Sequence, residues 1–508
     1  MTEKSLSNSK YKAMRYSIKM GILSGMLAIA SCEGYMDREP IGLITQDQIS
    51  TDPTEQSITS SVNSVYQLYS QTLNVIGEWD WTGGKVLRND FIVYDIAAGD
   101  MIKKWNPDGD QAWMDEVAAF NFTSINGAFN GVWSYNYEAI SRANIAIDIL
   151  ENQEVMNEIN LQPALRDRLL GEVLFLRAYS YFDLVNNFGD VPLLTAPLES
   201  FEDAYEVSVR APKAEVWAFI KQDLERAVDL LPETKYSNPA EPWRVSIGAA
   251  KAMQAKVALF EEDYNAVIMR INELDGYGFY ALNNHYFDSF DAFQQFNENE
   301  VIFAYDHQEA RNPGRGNGLA ALMGWGFVAP SESFVQAFEE NDPRLFYTID
   351  IEERNPNKLL GTTNGQFKGN DDSPGNKIYI RYADVLLWKA EALIRSGNIE
   401  GGLQLIDEVR ARARNTPHGD GTVSPADLLP PYSGRGLGEA EAFQALVDER
   451  RVELGFESHR FNDLKRWNLA DEVLSAMGKN FQQHHYLYPI PQEEVDRSGG
   501  QITQNPGY

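Results

Sequence analysis

Apolar positions recur along this chain at helical spacing over most of its length. Ile58, Val62, Val65, Tyr66 and Tyr69 fall on one face behind Asp52-Pro53-Thr54-Glu55, where an early proline and acid predict a helix start. Phe129, Trp133, Ile140, Ile147 and Leu150 predict a second helix over about 127–151. A third covers about 162–187, stopping before Gly189 and Pro192, and a fourth runs from near Pro212 to Leu231-Pro232. Helical pairs follow at about 246–274 and 380–414, then helices at 439–456 and 459–476. The stretches 74–125, 276–375 and 415–438 have another texture. They are rich in Gly, Asn, Asp, Pro and aromatics and lack long periodic runs, apart from a strand expected at Val301-Ile-Phe-Ala-Tyr305. The expected fold is mainly α, a single domain over 51–508. Its helical frame (about 51–73, 126–274, 380–414 and 439–476) carries long irregular, partly β insertions.

An internal repeat gives that frame a type. Sliding 255–274 by 135 residues sets Ala255 on Ala390, Leu259 on Ile394, Tyr264 on Ile399, Ile268 on Leu403, Ile271 on Ile406 and Leu274 on Val409. Each copy reads as two helices around a short polar turn, Glu261-Glu262-Asp263 or Ser396-Gly397-Asn398. Paired helices in units of about 34 residues are the tetratricopeptide arrangement, and such pairs must stack on neighbours to bury their faces.

The N-terminus reads as an export signal. Lys4, Lys10, Lys12, Arg15 and Lys19 precede an apolar run of 11 residues, Met20 to Ala30, too short to span a hydrocarbon core of about 30 Å. It ends in Ile29-Ala30-Ser31-Cys32, the only cysteine of the chain, and resembles the lipobox of bacterial lipoproteins. Residues 1–31 are thus expected to be removed, Cys32 to be acylated, and 32–50 to form a tether. No later segment reaches 18 uninterrupted apolar residues, which leaves the lipid as anchor. One cysteine also excludes an internal disulfide and a thiolate-rich metal site. With 44 basic against 74 acidic residues, the formal charge is −30, and such a field repels phosphate backbones, so nucleic acid is not an expected partner. The aromatic share, 12%, is large enough that the rings must fill a core or line something that binds flat apolar faces.

Tests for known chemistry give little. There is no Walker loop, H-E-x-x-H or G-x-S-x-G; Gly314-Arg-Gly-Asn-Gly318 has the wrong spacing for a dinucleotide fingerprint and reads as a mobile loop. Adjacent His484 and His485 cannot face one metal from regular structure, and Asn370-Asp371-Asp372-Ser373-Pro374-Gly375 puts proline at a calcium-ligand position and reads as a solvated turn. No metal or cofactor is expected.

The C-terminal third carries a recognisable pattern. Glu449-Arg-Arg-Val-Glu-Leu-Gly-Phe-Glu-Ser-His-Arg-Phe-Asn-Asp-Leu-Lys-Arg-Trp467, Tyr486-Leu-Tyr-Pro-Ile-Pro-Gln492 and the final Thr503-Gln-Asn-Pro-Gly-Tyr508 resemble the closing motifs of SusD/RagB-family lipoproteins. Arg381 to Ala392, Phe175-Leu-Arg-Ala-Tyr179, Phe188-Gly-Asp-Val-Pro192 and Tyr35-Met-Asp-Arg-Glu-Pro40 after the lipobox are similar to other segments of that family. Ser458 departs from the pattern, standing where the family usually has glycine, as does Ser498-Gly-Gly500 in place of an Asn-Pro-containing stretch. Read as residues, Glu449 and Glu453 share one helix face and Arg450 and Arg451 can bridge neighbouring helices, so the motif reads as frame, with Trp467 and the Pro489–Pro491 turn capping it.

The resemblance implies a non-catalytic, lipid-anchored protein of the outer-membrane surface that captures oligosaccharide and hands it to a TonB-dependent, SusC-like transporter. A peptide-import lipoprotein, a protein-binding tetratricopeptide scaffold and a glycoside hydrolase are the alternatives. Binding residues concentrate on loops held by a rigid scaffold. Trp79, Trp81, Trp105 and Trp113 crowd the first insertion, while Trp325, between two glycines, follows Arg311 and Asn312 in the second. Sugar C–H faces stack on such rings while polar side chains collect hydroxyls, so these seven are the candidate carbohydrate-binding residues.

Overall fold

The computed structural model describes residues 53–77, 84–103, 110–198, 200–308 and 316–508. The leader, Cys32 and the tether lie outside them. The helices stand where apolar periodicity put them: α1 Glu55–Tyr66, α2 Gly127–Glu151, α3 Pro163–Phe188, α4 Lys213–Leu230, α5 Ile247–Phe260, α6 Tyr264–Gly276, α7 Tyr382–Arg395, α8 Ile399–Asn415, α9 Glu439–Glu453 and α10 Arg460–Arg466. From α2 to α8 each helix packs on the next, and α9 closes on α7 and α8. Residues 58–508 form one compact unit.

The repeat holds at the level of single turns. Glu262 and Gly397, 135 residues apart, are both left-handed, with φ of 58° and 87°. The next residue caps the following helix in each copy: Asp263 Oδ1 accepts from Ala266 N at 3.0 Å, and Asn398 Oδ1 from Gly401 N at 3.1 Å. Ala255, Leu259, Ile271 and Leu274 are buried, as are Ala390, Ile394, Ile406 and Val409. Tyr264, its counterpart Ile399 and Ile268 are only half-buried, and Val267 beside Ile268 turns inward.

Two helix assignments change. The stretch expected to open a helix at 380 is still a strand, β2 Lys377–Arg381, which pairs antiparallel with β1 Val301–Tyr305. Arg381 is extended, with φ −134° and ψ 160°, because it pairs with Val301, so α7 starts only at Tyr382, two residues later than expected. The helix expected over 459–476 divides into α10 and Ala470–Ala476, since Asn468 turns left-handed at φ 56°. The β1–β2 ribbon zips the two ends of the second insertion. That lets α6 and α7 pack side by side although more than a hundred residues separate them in the chain.

Among the described residues, much of the aromatic content packs into the core. Tyr69, Tyr179, Phe303 and Tyr379 meet edge to face, tilted or stacked, with centroids 5.3–6.1 Å apart. Phe120 and Phe122 lie against His485, whose ring burial holds at about 4; its Nδ1 accepts from Gln482 N at 2.9 Å. The C-terminus folds back on α3, where Asn505 Nδ2 donates to Phe188 O at 3.0 Å.

The motif of the last third is a buried ion network. Glu453 accepts from Arg344, Arg381 and Arg412. Arg381 also binds Glu300 at 3.1 Å and Glu457 at 2.7 Å, and Lys358 binds Glu457 at 2.7 Å. Glu300, Arg344 and Lys358 belong to the second insertion; the other partners sit on β2, α8 and α9 or just after it. The network therefore fastens insertion to frame. Arg450 bridges Asp384 of α7 and Asp463 of α10, both at 2.7 Å, and Trp467 Nε1 donates to Glu391 of α7 at 2.9 Å. These are the frame roles read from the sequence.

Candidate functional site

The two tryptophan-bearing insertions are stitched together at their bases. Met101 and Ile102 pair antiparallel with Pro330 and Ala329. Ser331 extends the seam, its N donating to Asp100 O at 2.9 Å and its Oγ to Gly99 O at 2.6 Å. A second seam lies where the chain enters the first insertion. Gly318 N donates to Gln71 O at 2.9 Å, Thr72 Oγ1 to Gly316 O at 3.2 Å, and Gln71 N to His307 Nε2 at 3.3 Å. Each seam joins a flank of one insertion to a flank of the other. Trp79, Trp81, Trp105, Arg311 and Asn312 themselves lie outside the described residues.

Trp325 follows the short helix Leu319–Gly324 and keeps 43% of its surface exposed, its ring edge-on to Phe327 at 6.4 Å. Its flanking glycines have separate jobs. A Cβ at 324 would stand 2.1 Å from the Gly369 Cα, so backbone meets backbone there, whereas Gly326 adopts φ 79° to turn the chain. Four residues past Trp325, Ala329 enters the ladder with Ile102. Trp113 is placed differently. It is half-buried in the helix Ala112–Ala119, its Nε1 donating to Gln111 Oε1 at 2.7 Å and its carbonyl accepting from Asn126 at 2.8 Å.

The sequence reading did not single out Phe293, 68% exposed, whose ring lies 5.9 Å from that of buried Phe367, two residues before Gly369. Its only signal is an aromatic inside the polar run 291–299. The turn at 370–375 is less solvated than expected: Ser373 is fully buried, and Gly316 packs on the Asp372 backbone. Among the described residues no group of three or more His, Cys, Asp or Glu is placed to hold a metal, and no helix is long and apolar enough to cross a membrane.

This architecture has relatives. The model of the SusD family matches residues 353–485, and that of a family described as starch-binding and associating with the outer membrane matches 54–259. The chain belongs to the SusD family. SusD-like protein P2 of Formosa agariphila is 27% identical over 97% of this chain and 100% of its own. A SusD-like protein of Bacteroides ovatus is 24% identical over 81% of this chain and 79% of its own. Among solved structures, a laminarin binding SusD-like protein superposes with a TM-score of 0.70 at 26% identity, covering 90% of this chain and 100% of its own. Surface glycan-binding protein A of Bacteroides fluxus shares the fold, with a TM-score of 0.69 at 22% identity over 90% of this chain and 100% of its own.

Within this SusD-family frame, Ser458 explains its own oddity. Its φ is 66°, the left-handed region that favours glycine. The serine is held there by Asp95, which accepts from Ser458 N at 3.1 Å and from its Oγ at 2.9 Å. Asp95 lies in the π-helical turn Phe91–Ile96, inside the first insertion. Burial drives its carboxyl up to about 7 against the opposing pull of Lys377 and Ser458. Ser458→Ala keeps the backbone strain and loses the hydroxyl's bonds to Asp95 and from Lys377, whereas Ser458→Gly loses the same bonds and relieves the strain. The alanine variant is therefore expected to be less stable than the glycine variant by about 1 kcal/mol in urea unfolding. Equal stabilities would show that the left-handed turn costs serine nothing here.

Proposed function

We propose that this SusD-family protein is a cell-surface lipoprotein, acylated at Cys32, that captures an oligosaccharide and passes it unhydrolysed to a TonB-dependent transporter of the outer membrane. Family membership and the laminarin-binding relative support glycan as ligand class. The observation that carries the site is the antiparallel seam of Met101–Ile102 with Ala329–Pro330, which ties the tryptophan-rich first insertion to the loop bearing exposed Trp325. Trp79, Trp81, Trp105, Trp113 and Trp325 then act as stacking platforms, with Arg311 and Asn312 collecting hydroxyls. A single lipid holds a protein weakly and reversibly, so attachment to a transporter barrel supplies the second contact.

The test is calorimetric titration of the lipid-free mature chain against a panel of oligosaccharides and peptides, with product analysis of each mixture. Stacking one sugar face buries roughly 60–100 Å² of apolar area, about 2 kcal/mol at ~25 cal/mol per Å². Trp325→Ala is therefore expected to weaken glycan binding roughly 10- to 30-fold at an unchanged melting temperature. In cells, fatty-acid labelling is expected to disappear in Cys32→Ser, and the parent to co-purify with a large barrel protein in gentle detergent. Peptide binding without glycan binding would replace this reading, and cleaved glycan would make the protein a hydrolase.

A further inference from the structure

Lys256 is a lysine in the wrong place. It lies on α5 in the middle of the frame, 6% exposed, and makes neither a hydrogen bond nor an ion pair with any of the described residues. Its Nζ faces the rings of Tyr179, Phe182 and Trp388, whose centroids stand 5.5–5.9 Å away. Ring faces favour a cation, but they return only a fraction of what removing an ammonium from water costs, and its three N–H donors still need acceptors.

The same spot holds a cavity of roughly 30 Å³. Two further groups without a partner line it. Among the described residues, none forms a hydrogen bond with the hydroxyl of Tyr179, 8% exposed, and Asn462 Oδ1 is buried without a donor. The remaining charged lining is balanced: with Lys256 counted, four Lys or Arg face four Asp or Glu. A space of this size takes one or two waters, and a buried water is held by two to four polar partners. An anion would find as much repulsion as attraction, and an apolar guest would leave the ammonium bare.

We infer that this cavity is an internal water site, in which one or two ordered waters accept from Lys256 Nζ and donate to Asn462 Oδ1, with the Tyr179 hydroxyl completing the shell. The water then adds a polar tie among α5, α3 and α10 at the centre of the frame, beside the ring contacts already joining α3 to α5. This inference is independent of the proposed glycan site.

A high-resolution crystal structure of the mature chain, grown in sodium bromide, tests it. Oxygen density is expected within hydrogen-bond distance of Lys256 Nζ, with no anomalous signal in the cavity. A bromide peak would make it an anion site, and an empty cavity or a lysine paired directly with a carboxylate would overturn the inference. Tyr179→Phe, which removes one partner and almost no volume, should fold and show the water displaced or weakened beside the missing hydroxyl. Lys256→Met should lose one or two long-lived waters in ¹⁷O relaxation dispersion; if Tyr179→Phe leaves the water unmoved and Lys256→Met loses none, the site is not organised by these groups.

Discussion

Replacing Glu453 by Ala is expected to cost about 3–5 kcal/mol of stability, the largest loss predicted for any single change here. The carboxylate is fully buried, and Arg344, Arg381 and Arg412 all donate to it. An ion pair in a dry interior is no better for stability than well-packed apolar groups. The cost lies in leaving three guanidiniums facing one another with a partner removed. Because Glu300, Arg344 and Lys358 come from the second insertion, the damage should spread to the loop that carries Trp325, and glycan affinity should fall with stability. The control is Glu493→Ala, which removes a partner of Arg497 where both side chains are more than half exposed; it is expected to change stability by less than about 0.5 kcal/mol. Urea unfolding of both variants checks the contrast. Equal, small effects would mean that water reaches the network.

The same carboxylate sets a pH signature. Burial pushes Glu453 up, but Arg412, Arg381, Arg344 and Lys358 outweigh it and hold it down at about 2, against 4.5 for the free group. Its folded value is depressed, so its contribution is fully present above pH 4.5 and is lost as pH falls through about 2. The shift corresponds to about 3 kcal/mol. The parent's own acid curve mixes this with groups of the opposite sign, such as Asp95, whose raised value makes it easier to keep as the pH drops. The clean measurement is the difference between the parent and Glu453→Gln, which cannot titrate at that position. The parent should be the more stable at pH 7, and the gap should close between pH 4.5 and 2. A gap that stays constant across that window would assign the effect of Glu453→Gln to packing and not to charge.

The local structure was legible from the sequence because its code is local. Apolar spacing placed α2 and α3 to within a residue or two, since the face a helix buries is written at three- and four-residue intervals. The repeat was legible down to its turns, because a left-handed residue followed by a capping Asp or Asn is a local necessity at both Glu262-Asp263 and Gly397-Asn398. Glu449 and Glu453 announced a charged helix face, and Ser458 announced a departure, though not its reason. Tertiary structure alone decided the partners. Nothing in the spacing of Glu453 names Arg344, Arg381 and Arg412, which arrive from three other segments. The two-residue ladder of Met101–Ile102 with Ala329–Pro330 is too short to leave any period, yet it stitches the insertions at the base of the candidate site. The cavity at Lys256 likewise exists only where distant segments converge, α3, α5 and α10 among them. A helix is selected by contacts a few residues apart and so marks its own sequence, whereas a meeting of distant segments is selected by the packing of the whole frame and leaves no periodic trace in any one of them.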